Sequence, residues 1–355
     1  MSRNLIASSI FALTVAGTPL WAQSQTSPPE QKPTPPLARW VEVQNVSVSV
    51  RYRFADNSAG TVTTNQVQHR ETVRARVKFD APGQYALNVG TSSGSRFTSG
   101  WNNTGIGIGD WQKAQSVRTL YLAARPIAGV EAQYGSMYII RGESSEITTY
   151  DEDGYVIGER VSVRRPRDLF FDEMSATVGY FSSAPTEIGV SKRVKYLDER
   201  PNYGHFLVDK KVGTRGGVSV DFTSVGGART WRAAANLSTR ELLVADGILV
   251  ETYKRTTMNP DYGFAVSITK ALTRRVGVNW GYARIDPFYG GLNSDRFNTG
   301  KRVFITTTFA ISSRLAASAF ITTAVGDNVA LPHRTLSNLI FSYNVLPDIR
   351  RSGLF

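Results

Sequence analysis

Among the 355 residues there is no cysteine, which excludes disulfide cross-links, thiolate metal sites and thiol nucleophiles. Beyond the N-terminus there is no apolar run of 18 residues either, so the chain encodes no membrane-spanning helix. Histidine is scarce. His69, His205 and His333 are far apart in sequence, and a metal or catalytic role would require the fold to gather them. No Gly-x-Ser-x-Gly elbow, His-Glu-x-x-His pair or Gly-Lys-Ser/Thr phosphate loop occurs. The cluster Gly105-Ile106-Gly107-Ile108-Gly109 lacks the strand before it and helix after it that a dinucleotide site needs, so it reads as loop. An enzyme is not expected, nor a cofactor or a metal.

What the chain does contain is alternation. From Tyr262, residues Phe264, Val266 and Ile268 share one face, with Gly263, Ala265, Ser267 and Thr269 on the other. After the turn Leu272 to Arg275 the pattern repeats, with Val276, Val278, Trp280 and Tyr282 against Gly277, Asn279, Gly281 and Ala283. A Gly/Asn/Asp loop from Asp286 to Gly300 leads to Val303, Ile305, Thr307, Phe309 and Ile311, and a turn at Ser312 to Arg314 leads to another alternating run. Strands of about ten residues with one aromatic-rich face, one small or polar face, and short turns alternating with long loops specify a transmembrane β-barrel. Gly at 31 and aromatics at 11% suit tight turns, close backbone approach and interfacial rings.

Three segments are expected. Residues 1–22 form a secretory leader, with Arg3, an apolar core from Leu5 to Ala16, and cleavage after Ala22. Residues 23–38 are Pro-, Gln- and Ser-rich and read as a periplasmic linker, either a partner-facing tether or a solvated tail. Residues 39–355 are the barrel, all-β, antiparallel and up-and-down, with about 16 strands (14–18), short periplasmic turns and long extracellular loops. The short set comprises Asp80 to Gly83, Arg125 to Ala128, Arg165 to Asp168, Ser238 to Glu241, Leu272 to Arg275 and Ser312 to Arg314. If these are periplasmic, both termini also fall in the periplasm, as an even strand number requires.

The turns Leu272-Thr273-Arg274-Arg275 and Leu237-Ser238-Thr239-Arg240-Glu241, together with the C-terminal Phe355, resemble those of Gram-negative outer-membrane porins. The similarity extends over most of the mature chain as a pattern, with no motif specific to one porin family. One departure is that the last alternating run stops near Leu346, leaving Pro347 to Leu354 before Phe355. The resemblance implies residence in the outer membrane, insertion by barrel-assembly machinery and contact with lipid and lipopolysaccharide. It also leaves room for a homotrimer.

The most pointed functional signal is basic. Arg51 and Arg53 on the first strand, and Arg70, Arg74, Arg76 and Lys78 on the second, share one face, joined later by Arg160, Arg164 and Arg232. Lipid cannot cover such a row, so it must line a wet lumen. Glu131, Glu173 and Asp221 are candidate acidic lumen residues. Phe264, Val278, Trp280, Tyr282 and Phe309 are expected to face lipid, and the aromatics Tyr134, Tyr138 and Tyr180 to share that apolar face. The Asp151-Glu152-Asp153 cluster reads as a hairpin tip, either solvated or holding a divalent cation. The formal charge of +12 favours anionic partners, nucleic acid being the weakest option for an exported chain. Three readings follow: a passive channel for small polar or anionic solutes, with the ladder as selective wall; a non-conducting barrel for surface polysaccharide assembly or adhesion, with the ladder paired to an inward loop; and a barrel hydrolase.

Overall fold

The computed structural model describes residues 37, 39–94, 100–151, 153–164, 170–180, 201–239, 244–287, 296–326 and 334–352. The leader, nearly all of the Pro-rich segment, His333, Phe355 and the inner hairpin expected at Val190 to Tyr196 lie outside them.

The strands run in chain order as β1 (Val41–Asp56), β2 (Val62–Lys78), β3 (Tyr85–Ser93), β4 (Asn102–Gly107), β5 (Gln115–Ile127) and β6 (Val130–Tyr138). Next come β7 (Tyr155–Val163), β8 (Glu173–Tyr180), β9 (Tyr203–Val212), β10 (Gly216–Val225), β11 (Ala228–Ser238) and β12 (Gly247–Arg255). The series ends with β13 (Asp261–Ala271), β14 (Val276–Ile285), β15 (Gly300–Ala310), β16 (Leu315–Ala324) and β17 (Thr335–Asn344), then one short helix, α1 (Leu346–Arg351). All pairings are antiparallel. β1 pairs with β17 from Ser47↔Asn344 to Asp56↔Thr335, which closes the sheet into a barrel. All strands but β4 form the wall, which makes it a sixteen-stranded transmembrane barrel with short periplasmic turns.

β4 is an addition that the alternation does not announce. It pairs with the upper part of β2, Gln68↔Asn103 and His69↔Asn102, above the stretch where β2 pairs with β3. The glycine cluster thus sits partly in a strand. Gly107 has φ +93°, and its backbone passes so close to Asn65 O that a Cβ has no room. The first connection is short, because β1 runs on to Asp56 and the β-branched Val62, Thr63 and Thr64 already belong to β2. Gly226-Gly227 forms an extracellular turn, both residues with positive φ, as a two-residue hairpin of the primed kind requires. The Pro347 stretch folds into α1, with Pro in the first turn where its missing N–H costs no bond.

Side chains separate by parity. Along β13 to β17 the outer row exposes Tyr262, Ile305, Phe309, Ile321, Leu339 and Phe341, while Ala265, Ala283, Phe304 and Phe320 are buried inside. Phe264, Val278, Trp280 and Tyr282 lie on this outer row, with Val266↔Tyr282, Ile268↔Trp280 and Trp280↔Ile305 opposed. Gly281 lies on the inner row, where a Cβ would strike Val266 O and the Phe304 ring. Replacing Gly281 with valine should destabilise the barrel by about 1–3 kcal/mol. The check is the temperature at which the folded band is lost in unboiled-versus-boiled gel electrophoresis.

Candidate functional site: a loop across the lumen

Residues 139–151 and 153–154, between β6 and β7, fold into the barrel instead of standing in water. The chain needs polar partners for its backbone there, and the wall supplies them. Glu251 on β12 is 1% exposed and accepts bonds from Ser145 N (2.8 Å), Thr148 Oγ1 (2.5 Å) and Ser145 Oγ. Arg232 Nε donates to Thr148 O at 2.9 Å, Arg160 Nη2 to Tyr138 O at 2.6 Å, and Glu143 N to Ser219 Oγ at 2.9 Å. Lys211 pairs with Glu143. Gly142, with φ +58°, lies so close to Ser219 and Leu207 that a Cβ would meet both.

The loop reaches the far wall. Ile147 packs with Phe297, Phe304, Phe320, Leu336 and the inner alanines of β13, β14 and β1. Phe297, from the β14 to β15 connection, meets Phe304 and Phe320 edge-on at 5.3 and 5.2 Å. Beside them Arg296 and Glu146, both largely buried, form an ion pair between the two loops. An apolar plug with one internal salt bridge therefore occupies this side of the lumen.

Every residue of the basic row lies on the inner face or at its rim, but their surroundings differ. Arg51 bonds Gln68 and lies 4.3 Å over the Trp101 ring, which Arg70 flanks at 4.8 Å. Arg70 also faces Asp153 at 3.6 Å. Arg53 is buried opposite Asn338. Arg160 is spent on Thr177, Gln133 and the Tyr138 carbonyl. Arg232 pairs with Asp221, which His205 approaches at 3.5 Å. Near the periplasmic mouth, Glu131 bonds Arg125 at 2.6 Å, and Arg164 bonds Glu173 at 2.9 Å; the Glu173 carboxylate raises the pKa of Arg164. Lys78 faces Glu42 at 3.7 Å. Arg74 and Arg76 stand apart. Arg76 donates to Gly83 O at 2.6 Å, Arg74 lies 4.7 Å over the Tyr138 ring, and neither has an acidic partner among the described residues. Both are half-buried, with Nε atoms that meet no acceptor.

Two expectations are corrected. Asp151 is 4% exposed and accepts Asp153 N at 2.8 Å, while Asp153 accepts Gly100 N at 2.8 Å. These carboxylates are the inner end of the folded-in loop, occupied by protein donors, not a tip in water. Tyr138 turns into the lumen and not toward lipid, because Gly135 at φ +126° breaks the alternation of β6. His205 is gathered with Asp221 and Arg232 in the wall, next to Tyr150, whose hydroxyl burial holds above the usual phenol pKa. The residues that sequence reading missed are Glu251, Glu146, Arg296, Trp101 and Phe297. Nothing in the local pattern distinguishes a lumenal glutamate that holds a loop from one that faces water.

A hydrolytic site would need a nucleophile on its base. On the outer face of β2, His69 Nδ1 lies 2.7 Å from Glu71, and Ser93 also bonds Glu71, so the carboxylate separates the serine from the imidazole. Among the described residues no cluster of metal-ligand type occurs.

No protein-family model matches the chain, and no curated protein matches it in sequence. Its shape does have counterparts. OmpF of Salmonella typhi, in a complex with daunomycin, matches with a TM-score of 0.57 at 9% identity over 86% of this chain and 97% of its own. A mutant of the Rh. blastica porin matches with a TM-score of 0.54 at 7% identity, over 86% and 99%. OprB of Pseudomonas putida at low pH matches with a TM-score of 0.50 at 11% identity, over 87% and 93%. The chain thus shares the barrel fold of outer-membrane porins over nearly the whole length of each.

Proposed function

We propose that this barrel is a passive outer-membrane channel for small polar or anionic solutes. The observation that carries the reading is the pair Arg74 and Arg76, two inner-face guanidinium groups without acidic partners among the described residues, the first over the Tyr138 ring at the end of β6 and the second at the turn carbonyl of Gly83. Cations held in a narrow, partly desolvated passage raise the local concentration of anions and repel cations. The loop between β6 and β7, residues 139–151 with 153–154, sets the bore, and the paired arginines around it, Arg160 and Arg232, act as its scaffold. Lipid and lipopolysaccharide would surround the outer wall, and the porin-like shape is compatible with a homotrimer. Replacing Arg74 and Arg76 together with serine should move the reversal potential in a salt gradient across planar bilayers toward cation preference. An unchanged reversal potential would count against the assignment.

A second reading, a non-conducting barrel that assembles or displays an envelope component, is favoured by the plug of Ile147, Phe297, Phe304 and Phe320. The two separate by conductance. In the channel reading the wild type shows discrete steps, and Glu251→Ala, which strips three acceptor bonds from the loop, enlarges and destabilises them. Loss of those bonds should also lower stability by about 1–3 kcal/mol. A folded wild type that never conducts, with surface-glycan binding lost on loop deletion, would support the second reading instead.

A further inference from the structure

The periplasmic rim under β13 to β17 carries a set of cations that neither the lumen nor the fold uses. Turn 272–275 and turn 311–314 are built the same way. Thr273 Oγ1 accepts Arg275 N and Val276 N at 3.1 and 3.0 Å, and Ser312 Oγ accepts Arg314 N and Leu315 N at 3.2 and 3.0 Å. Each turn is therefore a fixed platform. The platforms stand side by side with α1, since Ala310 N bonds Arg275 O and Asn344 N bonds Arg314 O, both at 2.8 Å. Neighbouring hairpins recur at about 10 Å, twice the strand spacing.

On this arc Arg274, Arg275 and Arg350 are exposed and have no acidic partner among the described residues. The local carboxylate, Asp348, is committed to Arg314 at 2.7 Å and to Arg351 at 3.9 Å. Directly beside the guanidinium groups the wall is apolar and faces outward: Leu272 is 60% exposed, Ile311 47%, with Phe309 and Tyr343 next to them. Cations fixed at the edge of a lipid-facing wall suit a ligand that is anionic at one end and aliphatic at the other.

We propose that this arc binds anionic phospholipid of the periplasmic leaflet, with headgroup phosphates on Arg274, Arg275 and Arg350 and acyl chains along Leu272, Ile311 and Phe309. A basic residue at an anionic lipid surface is worth roughly a fivefold preference. The assignment depends on the orientation of the barrel and not on whether it conducts.

The test uses the full chain reconstituted with equal amounts of phosphatidylglycerol and phosphatidylcholine, followed by native mass spectrometry of the lipids that remain bound. The wild type should retain phosphatidylglycerol preferentially, and R274S/R275S/R350S should lose about a hundredfold of that preference. A single variant, R350S, lies outside the strands and keeps the result readable should the triple variant fold poorly; it should lose a few-fold. Two substitutions at the opposite rim, R229S/K301S, should leave the preference intact. Equal retention of the two lipids by the wild type would overturn the proposal, as would an equal loss from the opposite-rim variant. Displacement of the bound lipid by soluble polyglutamate, with no headgroup preference, would overturn it too and point to a periplasmic macromolecule.

Discussion

In hydrocarbon no water exists to satisfy a backbone N–H or C=O, and everything else in this molecule follows from that constraint. A strand solves it only by pairing on both sides, so the first and last strands must find each other. The β1–β17 seam does this over the full span of β17, from Thr335 to Asn344. Closure in turn fixes which face is which. Once one row of a strand touches lipid, its alternate row must line the interior, and the period of two carries that choice around the wall, interrupted in β6 at Gly135.

The interior then has the reverse problem. The wall delivers arginines, and arginine in a confined space needs an acceptor or an aromatic face. Arg160 finds the Tyr138 carbonyl at the end of β6, and Arg232 finds both a wall carboxylate, Asp221, and the crossing loop at the Thr148 carbonyl. Glu251 meets the complementary need, offering oxygen atoms to loop donors that would otherwise be buried without partners. Loop and wall thus satisfy one another, while Arg74 and Arg76 stay outside this exchange, with no acidic partner among the described residues.

The wall was legible because its signal is local and repeated. Tyr262 to Thr323 states the alternation four times, with turn residues between, and the strand count follows from repetition. The interior was legible only in part. Arg74 and Arg76 declare their face through Val73, Ala75 and Val77, but whether they are paired depends on a segment that meets them through the fold alone. Tyr138 shows the limit most clearly: its place in the alternation assigns it to lipid, and a single glycine three residues earlier reverses that. Phe304 and Phe320 sit on the inner row among small residues, and their value as a plug appears only when Phe297 and Ile147 arrive from two distant loops. No spacing rule brings those together. β4 was hidden for a similar reason, since a strand of six residues in a Gly/Asn-rich stretch has too few apolar positions to show a period.

The ion pair between Glu146 and Arg296 joins residues 150 positions apart and lies within a space that exists only after the seam has formed. Contacts so distant in sequence are slow to form, and these also wait for their container. The pair therefore depends on closure of the wall around it: remove either partner and the other is left as an uncompensated charge in a confined space, so the interior is stable only as a set.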